Sequence, residues 1–377
     1  MNEKTLILPH DVYIILTSKC NLRCIHCYGN YGVSIPKDEL SGDEWCKVIK
    51  DLSDNNVFYV NISGGEPTCH EDFDKIVDCL IENEMHYVLT TNGLFGESTL
   101  KKIIESKNYL LGIKISLDGP DFESHGYIRR NIKGDISKIT FDKTIDTIKK
   151  LKENNIGFNI GTCLHSENIE KINEMQELIF ELKPVSWYIS TISSSGRADE
   201  NQAIFVSESD KPKKFWSNLK KDCSKKNIPV VYVDMPNLIK SEDNKDVYFQ
   251  CPAARWFCEI NSDGLVTPCP LARTSIPKEI LKFDKITSRS IKDIWSSYQF
   301  NTFRKWQHSG CDGCLASGKC DRCVPQSIQW FNDPLLPPPY CIANSKNLKI
   351  NNHEKLKELL KDKLKEKERT KYIEEID

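Results

Sequence analysis

From Val12 to about Ile192, short apolar runs alternate with longer segments whose apolar residues fall three and four apart. That alternation predicts repeated βα units on a parallel sheet. Strands are expected over 12–16, 57–62, 86–91, 112–116, 157–162 and 187–191. After the first strand, Ser41-Gly42-Asp43-Glu44 forms a capping box that opens a helix carrying Trp45, Val48, Ile49 and Leu52 on one face. Further helices fit 73–84, 100–106, 141–154 and 169–182. Six strands with crossover helices give an open α/β sheet or a partly closed barrel.

Past the polar stretch Ser193 to Arg197 come a charged helix over 215–225 and one more strand over 230–233. From Cys251 to Cys341 the periodicity fades while cysteine, glycine and proline rise, and a region so poor in regular core needs cross-links or metals. The tail after Asn351 reads as a charged helix packed through Leu356, Leu360 and Leu364. The expected organisation is 1–200, a connection over 201–245, 246–345, and a helix over 346–377. A net charge of −2 gives no reason to expect nucleic acid. No stretch has the length of apolar residues that a membrane span or a signal peptide needs, so a cytoplasmic protein is expected. In a reducing compartment, 16 cysteines point to metal rather than disulfides.

Cys20, Cys24 and Cys27 directly follow the first strand, at the carboxyl end of the sheet, where α/β folds place ligands. Three thiolates are one short of the usual four for a cubane cluster, which leaves one iron free to bind something else. The plainer readings are three buried thiols or half of a zinc site. Ser63-Gly64-Gly65-Glu66-Pro67 leaves the second strand at the same end. Its glycines permit close backbone approach, and its carboxylate can accept from an ammonium, although alone it would pass for an ordinary turn.

Together, CxxxCxxC after the first strand and GGEP after the second resemble the radical S-adenosylmethionine (SAM) superfamily. The resemblance covers about residues 12 to 200 and implies a partial (β/α)6 TIM-like barrel. It also implies a 4Fe-4S cluster on Cys20, Cys24 and Cys27, with SAM on its open iron. Gly64, Gly65 and Glu66 would bind the methionine end, and His26 would lie near the adenine. Ser116-Leu117-Asp118-Gly119 is similar to the family's SLDG, which makes Ser116 a SAM contact. His125 to Arg129 resembles its HDxIR stretch with Gly126 in place of the acid, and Arg129 would be a carboxylate partner; the plainer reading of Arg129 is a surface salt bridge.

Cys311, Cys314, Cys320 and Cys323 by themselves suit a four-thiolate zinc site. Cys251, Cys258, Cys269 and Cys341 make eight thiols, too many for one zinc. The set resembles the SPASM extension of radical SAM enzymes, with two auxiliary 4Fe-4S clusters and three clusters in all. The resemblance implies Cys251, Cys258, Cys269 and Cys323 for the first and Cys311, Cys314, Cys320 and Cys341 for the second.

Of the remaining cysteines, Cys46, Cys79 and Cys223 are expected to be inert thiols on helices. Cys163 ends the fifth strand at the same mouth, where a thiol could return a hydrogen atom to a substrate radical, as an epimerase needs; otherwise it is a small core residue, and Cys69 has similar standing. The resemblance implies modification of a ribosomally made peptide by thioether or carbon-carbon cross-linking or by epimerization. It also implies a one-electron reductant such as flavodoxin or ferredoxin. Only 19 residues precede Cys20, so leader recognition is expected from a separate protein or from direct docking. An anaerobic sulfatase maturase carries an acid after the third auxiliary cysteine, whereas Pro270 stands here. That enzyme, a haem-pathway enzyme and a non-catalytic iron-sulfur electron carrier are the alternatives.

Overall fold

A computed structural model of the chain describes residues 5–33, 35–192, 195–201, 204, 211–233, 251–309, 321–339, 341 and 353–366. Among the described residues, nine strands form one sheet in the order β7-β6-β5-β4-β3-β2-β1-β8-β9. They are β1 (Asp11–Ile15), β2 (Tyr59–Ser63), β3 (His86–Thr91), β4 (Leu110–Ser116), β5 (Phe158–Cys163), β6 (Ser186–Ser190), β7 (Val230–Val233), β8 (Phe257–Ile260) and β9 (Val266–Thr267). All neighbours are parallel except β9, which runs antiparallel to β8. The expected parallel α/β architecture is present, extended by β7 on one side and by the β8–β9 hairpin on the other.

Crossover helices α1 (Gly42–Asp54), α2 (Phe73–Glu82), α3 (Glu97–Glu105), α4 (Phe122–Ile128), α5 (Lys138–Glu153) and α6 (Ile172–Leu182) cover one face. The capping box at Ser41 is made in full with Glu44. Along each strand, alternate residues such as Val12, Ile14, Ile113 and Ile115 enter the core beneath these helices. The opposite face carries Tyr13, Lys114 and Tyr188, and the Tyr13 hydroxyl on β1 feels Tyr188 on β6, so the sheet curls into a partial barrel.

Cys46 on α1 and Cys79 on α2 were expected to be separate inert thiols, but they form a disulfide with Cα atoms 5.5 Å apart. Both helices lean on the same stretch of sheet, a proximity that sequence separation conceals. Cys223 is a buried thiol on α8 (Lys213–Lys225), as expected; α7 is Arg197–Glu200. Beyond the sheet lie α9 (Pro270–Ser275), α10 (Ile291–Trp295), α11 (Tyr298–Gln307), α12 (Val324–Phe331) and α13 (His353–Glu366). Leu356 and Leu360 of α13 are buried, as the stripe predicts. Among the described residues, no helix is long and apolar enough to cross a membrane.

Candidate active site at the carboxyl rim of the sheet

Because β1 to β6 run parallel, the segments that follow them gather at one rim. The loop after β1 carries Cys20 and Cys27, both half-buried, and Cys24, which is buried. It is held from two sides. Arg23 and Ile25 N–H donate to Arg130 and Ile128 carbonyls at 2.9 Å. Arg197 Nε donates to Cys24 O at 2.8 Å, and its Nη1 donates to Asn30 Oδ1 and Tyr31 O, both at 2.9 Å. Gly196 lets this clamp close: its φ is +57°, and a Cβ there would sit 2.5 Å from Cys27 O. The polar stretch around Arg197, which looked like a mere boundary in sequence, thus shapes the cysteine loop.

Burial, then the charge of Cys24, pushes the Cys20 thiol up, while burial holds Cys24 at about 11 against the pull of Arg129. Among the described residues no His, Cys, Asp and Glu group converges on a point that would hold a single metal ion. A cubane is gripped at its corners, one thiolate per iron, so three thiols spread around one loop suit it better than they suit zinc.

Gly64 (φ +145°) and Gly65 were expected to admit a ligand, yet their close neighbour is the protein's own backbone. A Cβ on Gly64 would lie 2.6 Å from Thr17 O, and one on Gly65 would lie 2.3 Å from Lys19 O. Gly65 and Glu66 N–H donate to Thr17 and Lys19 carbonyls at 2.9 Å, stitching the two loops together. The Glu66 carboxylate is fully buried. Its Oε1 accepts from Thr91 Oγ1 at 2.7 Å and Thr68 Oγ1 at 2.8 Å, and its Oε2 accepts from Asn92 N–H at 2.8 Å. These donors are uncharged, so burial raises the carboxyl and an incoming ammonium would find its charge uncompensated.

Arg129 is no surface ion pair. It lies almost wholly inside, its Nε on Asp118 Oδ2, with side-chain exposures of 12% and 0%. Burial alone would raise the Asp118 carboxyl, but Arg129, then His26 and His125, keep it below its ordinary value. Asp118 is a hub the sequence reading missed. Its Oδ1 accepts from Cys163 N–H at 2.7 Å, its N–H donates to His125 Nδ1 at 3.2 Å, and its carbonyl accepts from Asn168 Nδ2 at 2.8 Å. His26 stands beside this hub. Burial, then Arg129, holds its imidazole at about 3, and its Nδ1 is buried without a hydrogen-bond partner. Ser116 ends β4 at the same rim, paired in register with Gly161.

Cys163 is not a core thiol but sits half-buried at the end of β5, its Sγ 3.4 Å from Ser190 Oγ. Burial, then Asp118, raises it to about 11, so it is a protonated thiol near neutral pH. Cys69 closes the short turn after Glu66, its N–H on Glu66 O at 2.9 Å.

In the C-terminal region Cys251, Cys269 and Cys323 lie within one another's electrostatic reach. Cys258 is packed in the hydrophobic core of the sheet, where the charges it feels are those of Asp11, Glu259 and Arg304. Cys341 is half-buried, and Cys311, Cys314 and Cys320 lie outside the described residues.

Residues 14–179 match the family model described as the radical SAM superfamily, and residues 251–323 match that of SPASM, an iron-sulfur cluster-binding domain. The chain is 25% identical over 348 residues to the AdoMet-dependent heme synthase of Methanosarcina barkeri, across 87% of this chain and 94% of that protein. It is 26% identical to the mycofactocin maturase MftC of Mycolicibacterium smegmatis (85% and 78% covered) and 25% identical to the PqqA peptide cyclase of Rhizobium meliloti (90% and 88%). In fold it is similar to SuiB of Streptococcus suis. The SAM-bound form of SuiB superposes with a TM-score of 0.71 at 18% identity, covering 89% of this chain and 77% of that one. The form bound to precursor peptide SuiA also gives 0.71, at 19% identity with 88% and 75% covered.

Proposed function

The chain belongs to the radical SAM superfamily and carries a SPASM iron-sulfur domain, and from that premise we propose that it abstracts a hydrogen atom from a ribosomally made peptide during its maturation. The observation that carries the reading is the rim itself. Three thiols on one clamped loop stand beside a buried Glu66 carboxylate whose hydrogen-bond donors are all neutral. Cys20, Cys24 and Cys27 would hold a 4Fe-4S cluster with one iron left for SAM, and the reduced cluster would supply the one electron that reductive cleavage of SAM needs. Glu66 would receive the SAM ammonium, Arg129 its carboxylate, Ser116 would contact SAM, and His26 would lie by the adenine. Cys251, Cys269 and Cys323 would hold one auxiliary cluster, and Cys341 would serve a second with Cys311, Cys314 and Cys320. The peptide as substrate is supported by relatives named as a peptide cyclase and a maturase, and by a similar fold seen with a precursor peptide.

After anaerobic reconstitution with iron and sulfide, dithionite and SAM should yield 5'-deoxyadenosine. None being formed, with the first cluster filled, would overturn the reading. Epimerization is a second outcome favoured by one observation, the protonated Cys163 thiol at the rim. Reaction in D2O would then place one deuterium at an α-carbon of the product peptide. A product without deuterium would assign the reaction to cross-linking instead.

A further inference from the structure

The first auxiliary site brings three of its expected thiols within one another's electrostatic reach, and the fourth, Cys258, lies on a strand in the core. Cys269 and Cys323 are the N-cap residues of α9 and α12, which pack so that Ser275 Oγ donates to Gln329 Oε1 at 3.5 Å. Cys251 N–H donates to Asp321 Oδ2 at 3.1 Å, and Asp321 pairs with Arg255, tying this segment to the one that carries Cys323. Cys258, by contrast, is paired in register with Val12 on β1, and both are fully buried in the core under the helices.

Strand alternation sets Glu259 apart from Cys258. Successive residues of β8 point to opposite faces, so Glu259 points away from Cys258. Glu259 is the cross-strand partner of Thr267 on β9, and such partners share a face. Cys269 lies two residues beyond Thr267, its carbonyl accepting from Thr267 Oγ1 at 3.3 Å, and its thiol is near enough to feel the charge of Glu259. Glu259 is 1% exposed, and its Oε2 is buried with no hydrogen-bond partner. Nor does Arg273, the cation whose charge it feels, neutralise it, since Arg273 is held by Asp263 through two bonds of 2.7 and 3.0 Å. A buried carboxyl so placed either keeps its proton or binds a cation or a metal.

We propose that Glu259, and not Cys258, is the fourth protein ligand of the iron-sulfur cluster held by Cys251, Cys269 and Cys323, binding its last iron through Oε2. This rests on the reading of those three thiols as cluster ligands. The ligation is a substitution of donor type, carboxylate oxygen for thiolate sulfur, and it leaves Cys258 a packing residue.

Full-length protein, reconstituted anaerobically with iron and sulfide, tests this without any turnover. Cys258→Ala should match the wild type in iron, sulfide and the electron paramagnetic resonance of the reduced clusters. Glu259→Gln should lose roughly one iron per chain and, after mild oxidation, show the signal of a three-iron cluster. Glu259→Cys, which returns a thiolate to the same position, should regain the full iron content and covers the case in which the glutamine variant fails to fold. Iron loss in Cys258→Ala, or a Glu259→Gln protein spectroscopically identical to the wild type, would overturn the proposal. Cys269→Ala with undiminished iron would instead bring down the reading of the three cysteines on which it rests.

Discussion

Asp118 has no solvent exposure, and its two oxygens are divided between Arg129 Nε and the Cys163 N–H. Removing one partner of such a pair strands the other charge inside, at a cost of about 3–5 kcal/mol. Asp118→Ala should therefore lower the urea midpoint by that equivalent; a shift within error would show that Arg129 finds water in its place. His125 adds a pH dependence. Its Nδ1 accepts from Asp118 N–H, and burial, then Arg129, holds the imidazole at about 3. In the unfolded chain it would titrate near about 6.5, so between the two values the unfolded state binds a proton that the folded state refuses. Stability contributed by the neutral ring is present above about 6.5 and falls by about 1.4 kcal/mol per pH unit as acid is added below it. His26, also held at about 3, adds its own share in the same window, so urea midpoints from neutral pH down to about 5 should show a slope that His125→Gln reduces by about that amount. The sequence showed the motif letters around Asp118 but not its role as a hub. The residues it gathers, Arg129, Cys163 and Asn168, are brought together by the sheet and not by spacing.

The paired glycines after β2 act as a joint between two loops. Since Gly65 has Lys19 O where a Cβ would stand and Cys20 Cβ 3.0 Å from that point, Gly65→Ala must push the cysteine-bearing segment outward. The expected outcome is loss of roughly four irons after reconstitution with the far-UV circular dichroism preserved. Retention of all iron would mean that the loops separate without cost to the cluster. At this scale the sequence was most legible where periodicity is long. The six predicted strands and the helices over 73–84 and 141–154 lie within a few residues of β1 to β6, α2 and α5. Too short to show a helical period, α4 escaped notice; it begins where Asp121 Oδ1 accepts from Ser124 N–H at 2.8 Å. The Arg197 clamp escaped for another reason, since its partners lie at Cys24, Asn30 and Tyr31, far back in the chain.

At the scale of the whole molecule, the C-terminal third does not sit beside the barrel as a separate body. Its strand β8 pairs in parallel with β1 along Asp11–Ile14, and Cys258 and Ile260 fill the same core as Val12 and Ile14. Nothing in the local sequence of 257–260 distinguishes a barrel strand from a loop-rich metal region, because four residues are too few for a periodicity to speak. The structural consequence is directional. Cutting the chain after residue 245 would leave the β1 edge unpaired, a short apolar strand with free N–H and C=O groups and one side of its core uncovered. Such an edge recruits other chains. A fragment of residues 1–245 should therefore elute from size-exclusion chromatography as oligomers or aggregate, even with its first cluster reconstituted, whereas the full chain does not present this edge. If the fragment ran as a stable monomer and still bound its first cluster, β8 would be an accessory to the barrel, and the contact between β8 and β1 would have to serve alignment of the two cluster regions and not the stability of the sheet.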